Sequence, residues 1–158
     1  MFLAGALLAA AGAFAQAPQY RLVTDPAESA QPAALQILKH LVAGELEAAA
    51  ALSNAPERRL EALRQFRGSV GEQQFRKLFG RYFAPENRIV MEAAIGARRL
   101  LVWDLGEANH QLAGQYFVEL EGRFVMDDVP SAERAKLERL LAAERNKSGP
   151  DPEFRSSR

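Results

Sequence analysis

The sequence predicts an α+β fold: N-terminal helices packed on a curved four-stranded antiparallel meander sheet, with a C-terminal helix. Three observations carry this reading. Apolar residues recur at helical spacing through residues 32–84 and then change to a period of two through residues 88–129. The strand-like runs are joined by short links, two of them centred on glycine, which is the length of a hairpin and too short for a crossover. A last helical stretch follows Pro130.

The first seventeen residues read MFLAGALLAAAGAFAQA, without a charged side chain. Residues 2–15 form an apolar run of secretory length, short for a bilayer span. It ends in Ala13-Phe14-Ala15, the small-x-small pattern that a signal peptidase accepts, so cleavage is expected between Ala15 and Gln16. A cut after Ala17 would set the locked ring of Pro18 beside the scissile bond. No Lys or Arg precedes the run, which leaves open a start further upstream, or an uncleaved tether or a buried helix. The A-x-A ending favours export, and the Ala- and Arg-rich composition fits a bacterial chain, so the expected compartment is the periplasm.

With 158 residues, 48% hydrophobic and 25% charged, the chain has room for one domain and its core. Lys+Arg and Asp+Glu each number 20, a balance that disfavours nucleic acid. The absence of cysteine removes disulfides and thiolate chemistry.

After the leader, residues 16–31 read as an extended lead whose only apolar cluster is Tyr20, Leu22 and Val23. Pro32 opens a helix carrying Leu35, Leu38, Leu41 and Val42, which Gly44 interrupts. Residues 45–52 make a short Ala-rich helix, and Pro56 opens a third with Leu60, Leu63, Phe66 and Val70 on one stripe. Beyond Gly71, Phe75, Leu78, Phe79, Tyr82 and Phe83 read as a fourth, core-facing set. Strands follow at residues 88–95, 98–105, 111–120 and 123–129, linked by Gly96-Ala97, by residues 106–109 and by Glu121-Gly122. Residues 131–145 form a helix with Leu137, Leu140 and Leu141 inward. One domain over residues 32–145 is expected, with a disordered tail over 146–158.

Two stretches, Leu41-Val42-Ala43-Gly44-Glu45-Leu46 and the run from Tyr116 to Phe124 (YFVELEGRF), resemble the NTF2-like (cystatin-like, SnoaL-like) superfamily of α+β cones over about residues 32–130. The first is similar to that group's bend between opening helices, the second to its hairpin before a closing strand. The resemblance implies a concave sheet wrapped by helices and a group that includes ketosteroid-isomerase-like enzymes, small-ligand carriers and non-catalytic assembly domains. The helix after Pro130 lies outside its common core.

With tight hairpins at the glycine links and a four-residue link between them, alternation makes both sheet faces mainly apolar. The helical half covers one; the last helix, a second copy or another protein covers the other. In that register Arg99 faces Tyr116 and Tyr116 faces Asp127, with Glu92 and Trp103 nearby. Arg99, Trp103, Tyr116 and Asp127 are thus candidate ligand-binding residues, weighed against a satisfied cross-strand network. His40 and His110 are isolated and make no metal site, no serine sits in a nucleophile elbow, and no catalytic residue or cofactor is assigned. The expected role is a non-catalytic exported domain that binds another protein or a second copy through an apolar sheet face. The alternative is a small-ligand carrier or isomerase-like enzyme using the cone pocket.

Overall fold

A computed structural model of the chain describes residues 19–106 and 112–148. The expected leader, the middle hairpin link with His110, and the tail beyond residue 148 lie outside the described residues. The elements run β1 (Arg21–Leu22), α1 (Gln31–Ala43), α2 (Leu46–Ala50), α3 (Pro56–Val70), α4 (Glu72–Gly80), β2 (Arg88–Ile95), β3 (Arg98–Asp104), β4 (Leu112–Leu120), β5 (Arg123–Met126) and α5 (Ala132–Lys147). Single 3-10 turns lie at Pro26–Glu28 and Arg81–Phe83. The strands form one antiparallel sheet in the order β1-β2-β3-β4-β5.

The α+β reading holds, with one strand more than expected. Two residues, Arg21 and Leu22, pair with Ala94 and Ala93. A strand this short shows no alternation, so it was hidden inside the polar lead.

Helix limits follow the local chemistry. Gly44 ends α1 in the left-handed region at φ 78°, and its N–H reaches back to the His40 and Leu41 carbonyls. Pro56 opens α3 at a position where its missing N–H costs nothing. Ser131 caps α5, its Oγ accepting from the Arg134 N–H at 3.0 Å. This helix runs through Lys147, past the residue 145 expected from composition.

Two cores flank the sheet. The larger lies between its inner face and the helical half: Ile37, Leu38 and Leu41 of α1, Leu46 of α2, Leu63 of α3 and Phe75 of α4 meet Leu101, Trp103 and Phe117. The smaller lies under α5, where Leu137 and Leu141 meet Ala93, Leu100 and Val102. The last helix therefore covers the centre of the outer face, one of the three covers the sequence allowed. Phe66 and Phe83 depart from their expected core placement and are substantially exposed. Phe66 lies instead on the rim of an aromatic group, its ring centroid 5.8 Å from Phe75 and 6.2 Å from Phe79.

The register corrects the sequence reading at two points: a bulge between Ile89 and Met91 sends residues expected on one face to the two different cores, and the pairing of β3 with β4 is shifted. Both two-residue hairpins form as expected, setting Ile95 opposite Arg98 and Leu120 opposite Arg123. Between β3 and β4, however, Arg99 faces Phe117 and Leu100 faces Tyr116. A slip of one residue exchanges the faces of a whole strand, so β4 and β5 are turned over relative to β2 and β3. Packing favours this register. It places Gly114 opposite Val102 beneath α5, where a Cβ would come within 2.3 Å of Leu141 Cδ2. It also turns Gln115 inward, where its Oε1 accepts from Trp103 Nε1 at 2.9 Å.

Candidate functional site

The Arg99–Tyr116–Asp127 row does not form, because the slip puts Arg99 and Tyr116 on opposite faces of the sheet. Arg99 is 4% exposed on the inner face, its guanidinium 5.1 Å from the centre of the Phe124 ring. It donates to the carbonyls of Glu28, Gly96 and Arg98. Glu92, also buried, accepts from Ser29 Oγ at 2.6 Å and from the Ala30 N–H at 2.8 Å, which ties the start of α1 to β2. Trp103 lies in the larger core, edge-on to Tyr82 with centroids 5.2 Å apart. Tyr116 lies under α5 with the Arg134 guanidinium 5.1 Å over its ring.

Asp127 is 2% exposed and belongs to a different assembly. Its Oδ1 accepts from Asn54 Nδ2 at 2.8 Å and its Oδ2 from Arg98 Nε at 3.0 Å. Next to it, Asp128 accepts from Ser53 Oγ at 2.5 Å and from both Nε and Nη2 of Arg59, while its N–H donates to Asn54 Oδ1. Arg134 donates to the Asp127 carbonyl. This polar clasp joins the α2–α3 connection to the end of β5, where Ser53 bridges Met126. Both aspartates follow the last residue of β5, and each takes its own arginine. The buried polar side chains Ser53, Glu92, Arg99 and Asp127 thus all have partners, and their chemistry is structural.

Two tyrosines carry shifted hydroxyls. Burial pushes Tyr82 above the usual 10.0, with Arg81 opposing it weakly. Burial also raises Tyr116, helped by Glu138 and opposed by Arg134 and Arg145. A raised folded value means the unfolded chain loses its proton first, so stability is full below pH 10 and falls as pH climbs through the folded value. Tyr82→Phe is therefore expected to lose less stability between pH 8 and about pH 11 than the parent. Urea midpoints at both pH values would read this, and equal losses would show that Tyr82 does not couple to alkaline unfolding.

The open features of the molecule lie at its margins. A groove of about 570 Å³ runs along the corner between the N-terminal lead, α1 and β2. Its apolar lining includes Val23, Pro26, Pro32, Leu35, Ile89 and Val90. Pairing of β1 with β2 stops at Leu22 and Ala93, followed by one bond from the Val23 N–H to the Glu92 carbonyl at 2.9 Å. Beyond it, residues 88–91 have no neighbouring strand on that side among the described residues. A bulge between Ile89 and Met91 pushes Val90 outward, where it is 44% exposed. At the other border the Met126 N–H donates to Leu52 O at 2.7 Å and Met126 O accepts from the Asn54 N–H, while β5 pairs only with Phe117–Leu120 and leaves residues 112–115 of β4 without a neighbouring strand on that side among the described residues.

Neither Arg99, Trp103, Tyr116 nor Asp127 lines this groove. The residues that do were not singled out from sequence, and no local signal marks them. Ile89-Val90-Met91 places three apolar residues in succession, but Ala93-Ala94-Ile95 does the same in regular pairing, so the run does not single out the bulge. Among the described residues no group of three or more His, Asp or Glu side chains is placed to hold a metal, and no helix is long and apolar enough to cross a membrane. No family model, curated protein or solved structure matches the chain.

Proposed function

We propose that the chain is an exported, non-catalytic binding module of the NTF2-like kind, and that it takes up an extended segment of another protein along the edge of β2. The observation that carries this reading is the bare edge at residues 88–91 opening into the corner groove. An unpaired edge offers backbone N–H and C=O groups to a peptide, and the groove beside it receives alternate side chains of the added strand. Apolar side chains would rest on Leu35, Ile89 and Val23. The bulge at Val90 keeps the edge from pairing indiscriminately, because it breaks the regular ladder that a flat strand needs. Export is supported by the uncharged run of residues 2–15 and its Ala13-Phe14-Ala15 ending. The likeness to the NTF2-like group is supported by helices preceding an antiparallel meander.

The sheet border replaces the sheet face as the binding surface, since α5 covers the centre of that face. Selection of a displayed linear-peptide library on the purified protein is expected to enrich segments with apolar residues at alternate positions. Val90→Lys, at an exposed site, should weaken the enriched peptides at least tenfold without lowering the unfolding temperature. Enrichment of nothing, or equal binding by the variant, would refute the reading. A concentration-dependent dimer abolished by Val90→Lys would assign the edge to a second copy instead.

A further inference from the structure

A second open cleft lies at the other end of β2, between Ile95, Tyr20 and the outer side of α5, with a volume of about 390 Å³. Its floor is apolar: Ile95, Tyr20 and Leu140 border the smaller core, and Leu137 belongs to it. The cleft is thus an opening in the seam between sheet and helix, a common location for sites that take apolar ligands.

Its rim is cationic. Among the side chains that line it are Lys136 and Arg139. Every acidic residue of α5 is engaged by another cation: Glu133 by Arg98 at 3.9 Å, Glu138 by Arg134 at 3.0 Å and Glu144 by Lys147 at 2.7 Å. Arg145 donates to the Leu112 carbonyl at 2.9 Å. Lys136 and Arg139 are the two α5 cations that form no ion pair or hydrogen bond among the described residues. Both uncompensated charges stand over the apolar floor. Their aliphatic stems can lie along that floor while the charged ends meet an anion at its mouth.

We propose that this cleft binds a single-chain anionic amphiphile of the fatty-acid type, its carboxylate held by Lys136 and Arg139 and its alkyl chain laid against Ile95, Leu140 and Tyr20. An apolar floor alone would take a neutral chain and a basic rim alone a free anion; the two side by side select a molecule with both. The site is independent of the β2 edge groove and shares no lining residue with it.

Isothermal titration of the purified protein with sodium decanoate is expected to give one site. Octanoate should bind about tenfold more weakly, since each buried methylene contributes roughly 0.8 kcal/mol. Decyltrimethylammonium, with the same chain and the opposite charge, should bind at least tenfold more weakly than decanoate. The double variant Lys136→Glu/Arg139→Glu should lose decanoate at least tenfold while retaining its unfolding temperature; if it folds poorly, Lys136→Gln/Arg139→Gln serves in its place. The proposal is overturned if decanoate does not bind, if the cationic amphiphile binds equally, or if the charge variant retains full affinity. Binding to phosphatidylglycerol vesicles without binding to monomeric decanoate would also overturn it, assigning the basic rim to a membrane surface.

Discussion

Asp127→Ala is expected to lower the unfolding free energy by about 3 kcal/mol, the low end of the range for breaking a buried ion pair. The carboxylate is 2% exposed and takes one bond from Asn54 and one from Arg98, so its removal strips both donors at once. Arg98 has a side chain 25% exposed, and partial hydration of the freed guanidinium keeps the effect from reaching the top of that range. Asn54, also partly exposed, loses the acceptor of its Nδ2 at the same time. A double-mutant cycle with Arg98→Met should return a coupling of about 1–3 kcal/mol, as neighbours in one network do. Urea unfolding of the four proteins checks it. A loss below 1 kcal/mol for Asp127→Ala would mean that the clasp contributes little to stability, leaving the smaller core to hold α5.

Gly114→Val should cost about 3 kcal/mol for a different reason, overpacking in a seam that has no slack. The first added atom would already stand 2.3 Å from Leu141 Cδ2 and 3.2 Å from Leu100 Cδ1. Glycine also costs folding entropy that a larger residue would save, worth about 0.4–1 kcal/mol; the steric term outweighs it. Truncation of the opposing side chain separates the two contributions. Leu141→Ala alone opens a cavity worth about 2–5 kcal/mol. Combined with Gly114→Ala it should destabilise by clearly less than the sum of the two single changes. Strict additivity in guanidinium or urea melts would show that α5 yields to the added methyl without strain.

What could be read from the residues divides along a physical line. Proline and glycine signals worked where they act within a few residues: Gly44 stops α1, Pro56 starts α3, and Gly96 and Gly122 set hairpins whose registers came out as expected. The change from helical to alternating periodicity placed the four longer strands. The middle register failed because nothing local fixes it. Asp104 faces Leu112, and the choice between adjacent registers rests on contacts with a helix far along the chain, in particular Gly114 under Leu141. That slip dispersed the candidate site while leaving every strand in place. Arg99 and Asp127 were legible as unusual polar residues in an apolar sheet, but their partners, Glu28 in the lead and Asn54 in a helix connection, were beyond the reach of a strand pattern. The corner groove is assembled from the lead, α1 and a bulge, none of which a strand pattern marks.

The two borders of the sheet also differ in what an incoming strand would meet. Along β5, the segment from Leu52 to Asn54 holds both backbone groups of Met126, and the strand has only four residues. Along β2 the ladder is bare at residues 88–91, beyond the pairing with β1. A strand approaching the β5 end would first have to displace the segment from Leu52 to Asn54 from Met126, whereas one approaching residues 88–91 of β2 meets no such segment. The clasp at residues 52–54, which ties a helix connection to the sheet, thus doubles as a cover for the backbone groups of Met126.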